Sequence, residues 1–223
     1  MIITGKELKE MNKEDISSNE FDQMNGSPSS WWRKLCEVSD RVYVSGDLHH
    51  DEEISRKQLG GWVDEGISHI FDCRQEWSDE ETVKRNAPGI KYCHIGTHDD
   101  GGVQQLGWFE HGTGLMEEAL TNPETKILIH CHMGVNRAPS MAFASLLRSG
   151  KGITESLNAI RCARPIAAIM YAESAVAWHG LRQNWSPERI ENALCEVRNW
   201  HIQNPIDIRW VISRIRLKEQ EVV

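Results

Sequence analysis

Lys126-Ile-Leu-Ile-His130-Cys131-His132-Met133-Gly134-Val135-Asn136-Arg137-Ala138-Pro139-Ser140 is the stretch whose reading decides the fold. Ile127 to Ile129 is short and wholly apolar, the pattern of a strand buried on both faces at the centre of a parallel sheet. Ala138 to Ser149 follows as an apolar helical stretch, broken by Gly150 and Gly152. Between them lies a loop of the form His-Cys-x-x-Gly-x-x-Arg. Strand, glycine-bearing loop and helix N-terminus in that order make an anion cradle. The loop N–H groups converge, and the helix end adds positive potential.

A phosphate monoester dianion resists ordinary nucleophiles, so a site acting on one needs an ionised nucleophile and fixed positive charge. Cys131 supplies the nucleophile, and the loop and helix dipoles are expected to lower its pKa. Gly134 lets the loop curl without a clashing Cβ. Arg137 offers a planar fork that can hold two phosphate oxygens at once. His130 is expected to hydrogen-bond nearby backbone and fix the loop, which His132, Met133, Val135 and Asn136 complete. Pro139 falls in the first helical turn, where no intrahelical donor is lost. The leaving oxygen needs a proton from a neighbouring loop at the same sheet edge. Asp99 and Asp100, in the loop Thr97–Gly102, fit that place.

The chain has 223 residues, a net charge of −8 and a pI near 5.7. That length suits one domain with room for additional helices. The acidic balance disfavours a nucleic-acid surface but leaves room for a local positive pocket. No apolar run is as long as a membrane span, and Met1–Lys6 lacks the apolar core of a signal peptide, so a cytoplasmic protein is expected. Six cysteines are scattered without a CxxC pair. Most are expected to be free core thiols, although Cys36, Cys73 or Cys93 could serve as a redox partner for Cys131. His130-Cys131-His132 has the composition of a metal cluster, but alternate residues of a strand point to opposite faces. His49-His50-Asp51 is a weak local candidate. Neither a metal nor another cofactor is expected.

Outward from the loop, Arg41–Gly46, Ile67–Cys73 and Ile90–Ile95 have strand character. Asp51–Glu65 and Gln105–Thr121 have helical spacing, the first stopped by Gly66. Asp79–Asn86 is charged and compatible with a helix. Downstream, Ile153–Cys162 with a cap at Thr154, Ile169–Gln183, a helix opened by Ser186-Pro187, and Ile206–Glu219 all read as helical. The expected fold is α/β, with a central mostly parallel sheet of about four to five strands flanked by helices and a helical C-terminal extension. The chain divides into a polar, partly flexible N-terminal segment (1–30), a catalytic domain (31–185) and an extension packed on it (186–223). Each helix of the extension carries one apolar stripe.

The central loop resembles the signature of the cysteine-based protein phosphatases, the dual-specificity class of the tyrosine phosphatase superfamily in particular. Ile67-Ser-His-Ile-Phe-Asp-Cys73 resembles that family's second core strand. Ile160-Arg161-Cys162-Ala163-Arg164-Pro165 is similar to its arginine-proline element, whose arginine is chiefly structural. Tyr92-x-x-Ile95-x-x-x-Asp99 resembles the run from strand to acid loop, which favours Asp99 as the acid with Asp100 in reserve. The resemblance covers about Arg41 to Leu181. It implies hydrolysis of phosphotyrosine, and of phosphoserine or phosphothreonine, in protein substrates through a phosphocysteine intermediate. The oligomeric state stays open.

Two departures stand out. Ala167-Ala168-Ile169-Met170-Tyr171 replaces the family's usual Pro-Asn. Ala138 stands where the family commonly has a serine or threonine whose hydroxyl eases breakdown of the phosphocysteine. Ser140 lies on another face of the helix. A slow or inactive phosphate-binding module is therefore an alternative. An RNA or nucleotide phosphatase is another, because Asn136-Arg137 is similar to the loop of the RNA 5′-triphosphatase relatives, without their following Thr-Gly. No loop lysine marks a phosphoinositide or polyphosphate substrate.

Overall fold

The apolar run of the central stretch forms β5 (Lys126–His130), the middle strand of a five-stranded sheet with order β1-β2-β5-β3-β4. The computed structural model describes residues 31–220; the segment 1–30 and residues 221–223 lie outside the described residues. β2 (Val42–Ser45) and β3 (Ile67–Arg74) flank β5, both parallel to it, and β4 (Lys91–Thr97) adds in parallel on β3. The register sets Val44 and Phe71 beside Ile129, and Ser45 and Asp72 beside His130. The fold is α/β and mostly parallel. Among the described residues its one antiparallel pairing joins β2 to β1 (Cys36–Ser39), a strand with no counterpart in the reading of the sequence. The hairpin turns at Arg41, whose φ of 66° is left-handed, and β1 is too short to show an alternating pattern.

Alternation along the strands gives each face its own core. Val42, Val44, Phe71, Ile127 and Ile129 face one large cluster, while Tyr43, Ile70 and Leu128 face a smaller one. The smaller layer is closed by α1 (Glu52–Asp64) and α2 (Glu80–Asn86) through Leu59, Trp62 and Val83. Asp51 caps α1 by accepting from the Ile54 N–H at 2.9 Å, and Gly66 follows its end with φ 89°. The larger layer comprises α3 (Leu106–Leu120), α4 (Arg137–Arg148), α5 (Ile153–Ala163), α6 (Ala172–Arg182) and α7 (Pro187–Gln203). Every residue of α4 from Arg137 to Leu147 is buried. Its Ala138, Ala142 and Ala144 are small enough for the sheet and the neighbouring helices to close around it.

One cap and one helix start differ from expectation through long-range partners. α5 is capped at Gly152, whose N–H donates to Glu155, and not at Thr154. Thr154 instead donates to Glu196 of α7 at 2.7 Å, a long-range partner that local spacing does not reveal. The stretch expected to be helical from Ile169 enters α6 only at Ala172. Ile169 has φ 55°, because the Ala168 N–H donates to the Val135 carbonyl and the Met170 N–H to Asn136, which draws this segment onto the central loop.

Ser186 caps α7, accepting from the Arg189 N–H at 3.2 Å, with Pro187 in the first turn. Ala193, Val197 and Trp200 of α7 join the larger core. The last helix, α8 (Ile208–Gln220), behaves differently: its Val211 and Ile215 pack with Trp31, Trp32, Val135, Ile166 and Ala168.

Candidate active site

The carboxyl ends of β2, β3, β4 and β5 open on one edge of the sheet, where a parallel sheet places its functional loops. Cys131 leaves β5 there, is 2% exposed, and forms part of the wall of a pocket of about 350 Å³. His132, Met133, Val135, Asn136 and Arg137 share that wall with Asp99, Asp100 and Glu76. The loop after β4 and the loop after β5 therefore bring the expected nucleophile, cation and acids together.

The N–H groups of Gly134 and Ala138 act on the Cys131 thiol and pull it down. The carbonyls of the loop must find donors beneath. Arg164 supplies them: Nε donates to the Gly134 carbonyl, and Nη2 donates to the carbonyls of Met133 (3.0 Å) and Trp32 (2.5 Å). One guanidinium with five N–H groups can anchor several strands of backbone at once. Gly134 has φ 62°, and a Cβ there would run into the Arg164 guanidinium.

Arg137 donates from Nη1 to Glu76 at 2.6 Å and to the Thr97 carbonyl at 3.0 Å. Its Nε lies 3.3 Å from Asp99 Oδ2 but outside hydrogen-bond geometry, so this buried donor has no hydrogen-bond acceptor. The ion-pair distance and the unmet N–H are compatible, since attraction between charges is not directional and a hydrogen bond is. Burial raises the Glu76 carboxyl, but the bond to Arg137, the Arg137 charge and the Glu76 and Gln75 N–H groups together outweigh it and hold the group below its usual range.

Asp99 is turned into the loop. Asn136 Nδ2 donates to its Oδ1 at 2.7 Å, and the Tyr171 hydroxyl lies 3.1 Å from the same oxygen. Asp100 is turned toward its own backbone, accepting from the Gly102 N–H at 2.9 Å. The geometry thus separates two acids that adjacency in sequence does not.

Two expectations for the loop are corrected. Burial pushes the Cys131 thiol up; Arg137 and the Ala138 and Gly134 N–H groups pull it down, while Asp99 raises it further. The balance is a rise where a depression was expected, because burial of the sulfur, with Asp99 beside it, outweighs Arg137 and the two N–H groups. His130 does not hydrogen-bond to backbone. Both of its ring nitrogens are buried without a hydrogen-bond partner, the nearest carboxylate oxygen being Asp72 Oδ1 at 3.8 Å. Its ring packs near Trp62 and Tyr92 and fills space beneath the loop. His132 turns another way, with Nδ1 2.7 Å from Asp47. The two histidines diverge, and among the described residues no three His, Cys, Asp or Glu side chains are grouped to hold a metal ion.

Residues that the sequence did not single out complete the site. Glu76 lies just beyond β3 at the same sheet edge, so strand order was the signal that could have found it. Asp47, just beyond β2, takes His132, Arg33 (3.1 Å) and Arg74 (3.4 Å). Tyr171 and Arg216 reach the site from distant elements, and no local pattern marks them.

A family model described as the dual specificity phosphatase catalytic domain matches residues 56–172. Dual specificity protein phosphatase 26 of rat and that of human are each 28% identical to this chain over 83 residues. The match takes in 37% of this chain and 39% of the length of those relatives. Among solved structures, Tk-PTP in its active form superposes with a TM-score of 0.54 at 22% identity, covering 68% of this chain and 99% of that one. Human DUSP28 does so with a TM-score of 0.54 at 18% identity, covering 67% and 95%. At such identities the two superpositions show a shared fold.

Proposed function

This chain belongs to the dual specificity phosphatase catalytic-domain family, and from that membership we propose that it hydrolyses phosphate monoesters on phosphorylated proteins through a phosphocysteine intermediate. The observation that carries the reading is the buried Arg137 Nε, a donor with no hydrogen-bond acceptor, in the wall of the pocket that also holds Cys131 and Asp99. A phosphate oxygen is the acceptor that such a donor suits.

In the first step the Cys131 thiolate attacks phosphorus, and the bond from phosphorus to the leaving oxygen breaks. Asp99 donates its proton to that oxygen, so the product leaves as an alcohol or phenol. Arg137 and the loop N–H groups hold the three equatorial oxygens where charge is spread in the transition state. In the second step Asp99, now a carboxylate, takes a proton from water as the water attacks phosphorus. Cys131 departs as thiolate, and inorganic phosphate is released. Asn136 and Tyr171 hold the Asp99 carboxylate in position for both steps.

The test is hydrolysis of p-nitrophenyl phosphate and of a phosphotyrosyl peptide with a metal chelator present. The native protein turns over both, and Cys131→Ser loses turnover to the uncatalysed level. Undiminished hydrolysis by the serine variant would refute the mechanism.

A further inference from the structure

The family match ends at residue 172, and α8 begins only at Ile208, yet α8 reaches the active-site pocket. Val211 and Ile215 seat the helix against Val135 of the loop and against Trp31, Trp32, Ile166 and Ala168. Glu219 fastens its far end, lying 3.6 Å from both His132 Nε2 and Arg33 Nη2. Residues one turn apart on the adjoining stripe, Ile208, Ile212 and Arg216, then form one wall of the pocket that holds Cys131, Arg137 and Asp99.

Arg216 is exposed and, among the described residues, has no ion-pair or hydrogen-bond partner. The other arginine in this wall, Arg137, is already faced by Glu76 and Asp99. Arg216 is therefore a cation set beside the phosphate cradle that no described residue pairs. A flexible arm alone would not define a site, but two buried anchors on the same helix set where this one stands.

We propose that Arg216 is a specificity-determining residue that takes a second anionic group of a phosphoprotein substrate, carried next to the scissile phosphate. The group is a carboxylate or a second phosphate, which share the chemistry that a guanidinium recognises. This rests on the phosphatase reading above, which explains the first phosphate; α8 supplies the subsite for the second anion.

Affinity is measured in the full chain carrying Cys131→Ser, so that the answer does not depend on turnover. Three phosphotyrosyl peptides are titrated: one with glutamates flanking the phosphotyrosine, one with glutamines there, and one with a neighbouring phosphoserine. The expected result is tighter binding of one or both anionic peptides than of the glutamine peptide. Adding Arg216→Gln reduces that preference about fivefold, the scale of one partly exposed charge contact, and Arg216→Lys retains most of it. Whichever anionic peptide loses more identifies the source of the anion. A preference unchanged by Arg216→Gln, or equal losses on all three peptides, overturns the proposal. Failure of the phosphatase reading shows separately, as absence of p-nitrophenyl phosphate hydrolysis by the native protein.

Discussion

Cys131 is held between opposing influences, of which the Asp99 charge can be removed singly. Asp99 adds negative potential that raises the thiol, so Asp99→Asn removes a cause of the rise and the thiolate forms at lower pH. The pH midpoint of Cys131 alkylation by iodoacetamide, followed on its own peptide by mass spectrometry, is expected to move down in Asp99→Asn. Hydrolysis of an ester with a poor leaving group should fall about a hundredfold in the same variant. A midpoint that moves up would contradict the arrangement of Asp99 around the sulfur. Ala138 is the second residue with a consequence of its own. Its N–H helps pull the Cys131 thiol down, but its methyl group offers no hydroxyl. Ser140 does not replace it, because its Oγ donates to Asn136 at 3.3 Å and accepts from the Tyr171 N–H. Breakdown of the phosphocysteine is therefore expected to limit the rate. Rapid-mixing measurements should show a burst of product equal to enzyme, and Ala138→Ser should speed the steady state about tenfold and shrink the burst. A native protein without a burst would show that breakdown is not slow.

The unit that works is β5, its loop and α4, and its shape depends on a side chain from after α5. Arg164 lies 30 residues from Gly134 in sequence and satisfies carbonyls of the loop. Gly134→Ala forces a left-handed φ on a residue with a Cβ and drives that Cβ toward Arg164 and the Ser45 carbonyl. The substitution is expected to cost about 2–4 kcal/mol, read by urea denaturation, with loss of phosphate binding. Unchanged stability would mean that the loop is not built around this contact. The same dependence on distant partners explains where local reading failed. Ile169 sits in an apolar run with helical spacing, but two hydrogen bonds to the loop turn its backbone aside. Thr154 has the chemistry of a cap, but Glu196 of α7 takes its hydroxyl.

Across the molecule, a chain of buried charges ties Arg33, the sheet and the start of α2 together. Arg74 reaches Asp72 at 2.8 Å, Asp79 at 2.7 Å and Asp47 at 3.4 Å, and Asp47 also holds Arg33. Burial alone would raise the Asp72 carboxyl, but His130, Arg74 and Tyr92 outweigh it and lower it to about 2. The folded pKa is thus below the ordinary 3.8. The stabilisation this supplies is complete above about pH 4 and is lost as pH falls toward 2, a contribution of about 2 kcal/mol. Asp72→Asn is expected to lose at least that much at neutral pH and to flatten the dependence of stability between pH 4 and 2. Denaturation curves across that range measure both effects, and an unaltered slope would show that Asp72 is not the group responsible. The C-terminal helices belong to the same whole. α7 closes the larger core through Val197 and Trp200, and α8 closes the active-site pocket.

The order of strand, loop and helix around Cys131 was determined by the sequence alone, because apolar runs, a glycine and an arginine at fixed spacing are local properties. The parallel sheet followed from the same logic, since each strand alternates or stays apolar according to the layers that cover it. The tertiary structure showed how each acid is turned, Asp99 toward Asn136 and Asp100 toward its own backbone. Resemblance favoured Asp99 over Asp100, but only the positions of Asn136, Tyr171 and Arg137 give a physical reason for the difference. The tertiary structure alone brought Glu76 to Arg137, set burial above the amide dipoles at the Cys131 thiol, and carried Arg216 to the pocket. Charge, burial and hydrogen-bond partners are sums over neighbours in space, and neighbours in space are what folding adds to the chain.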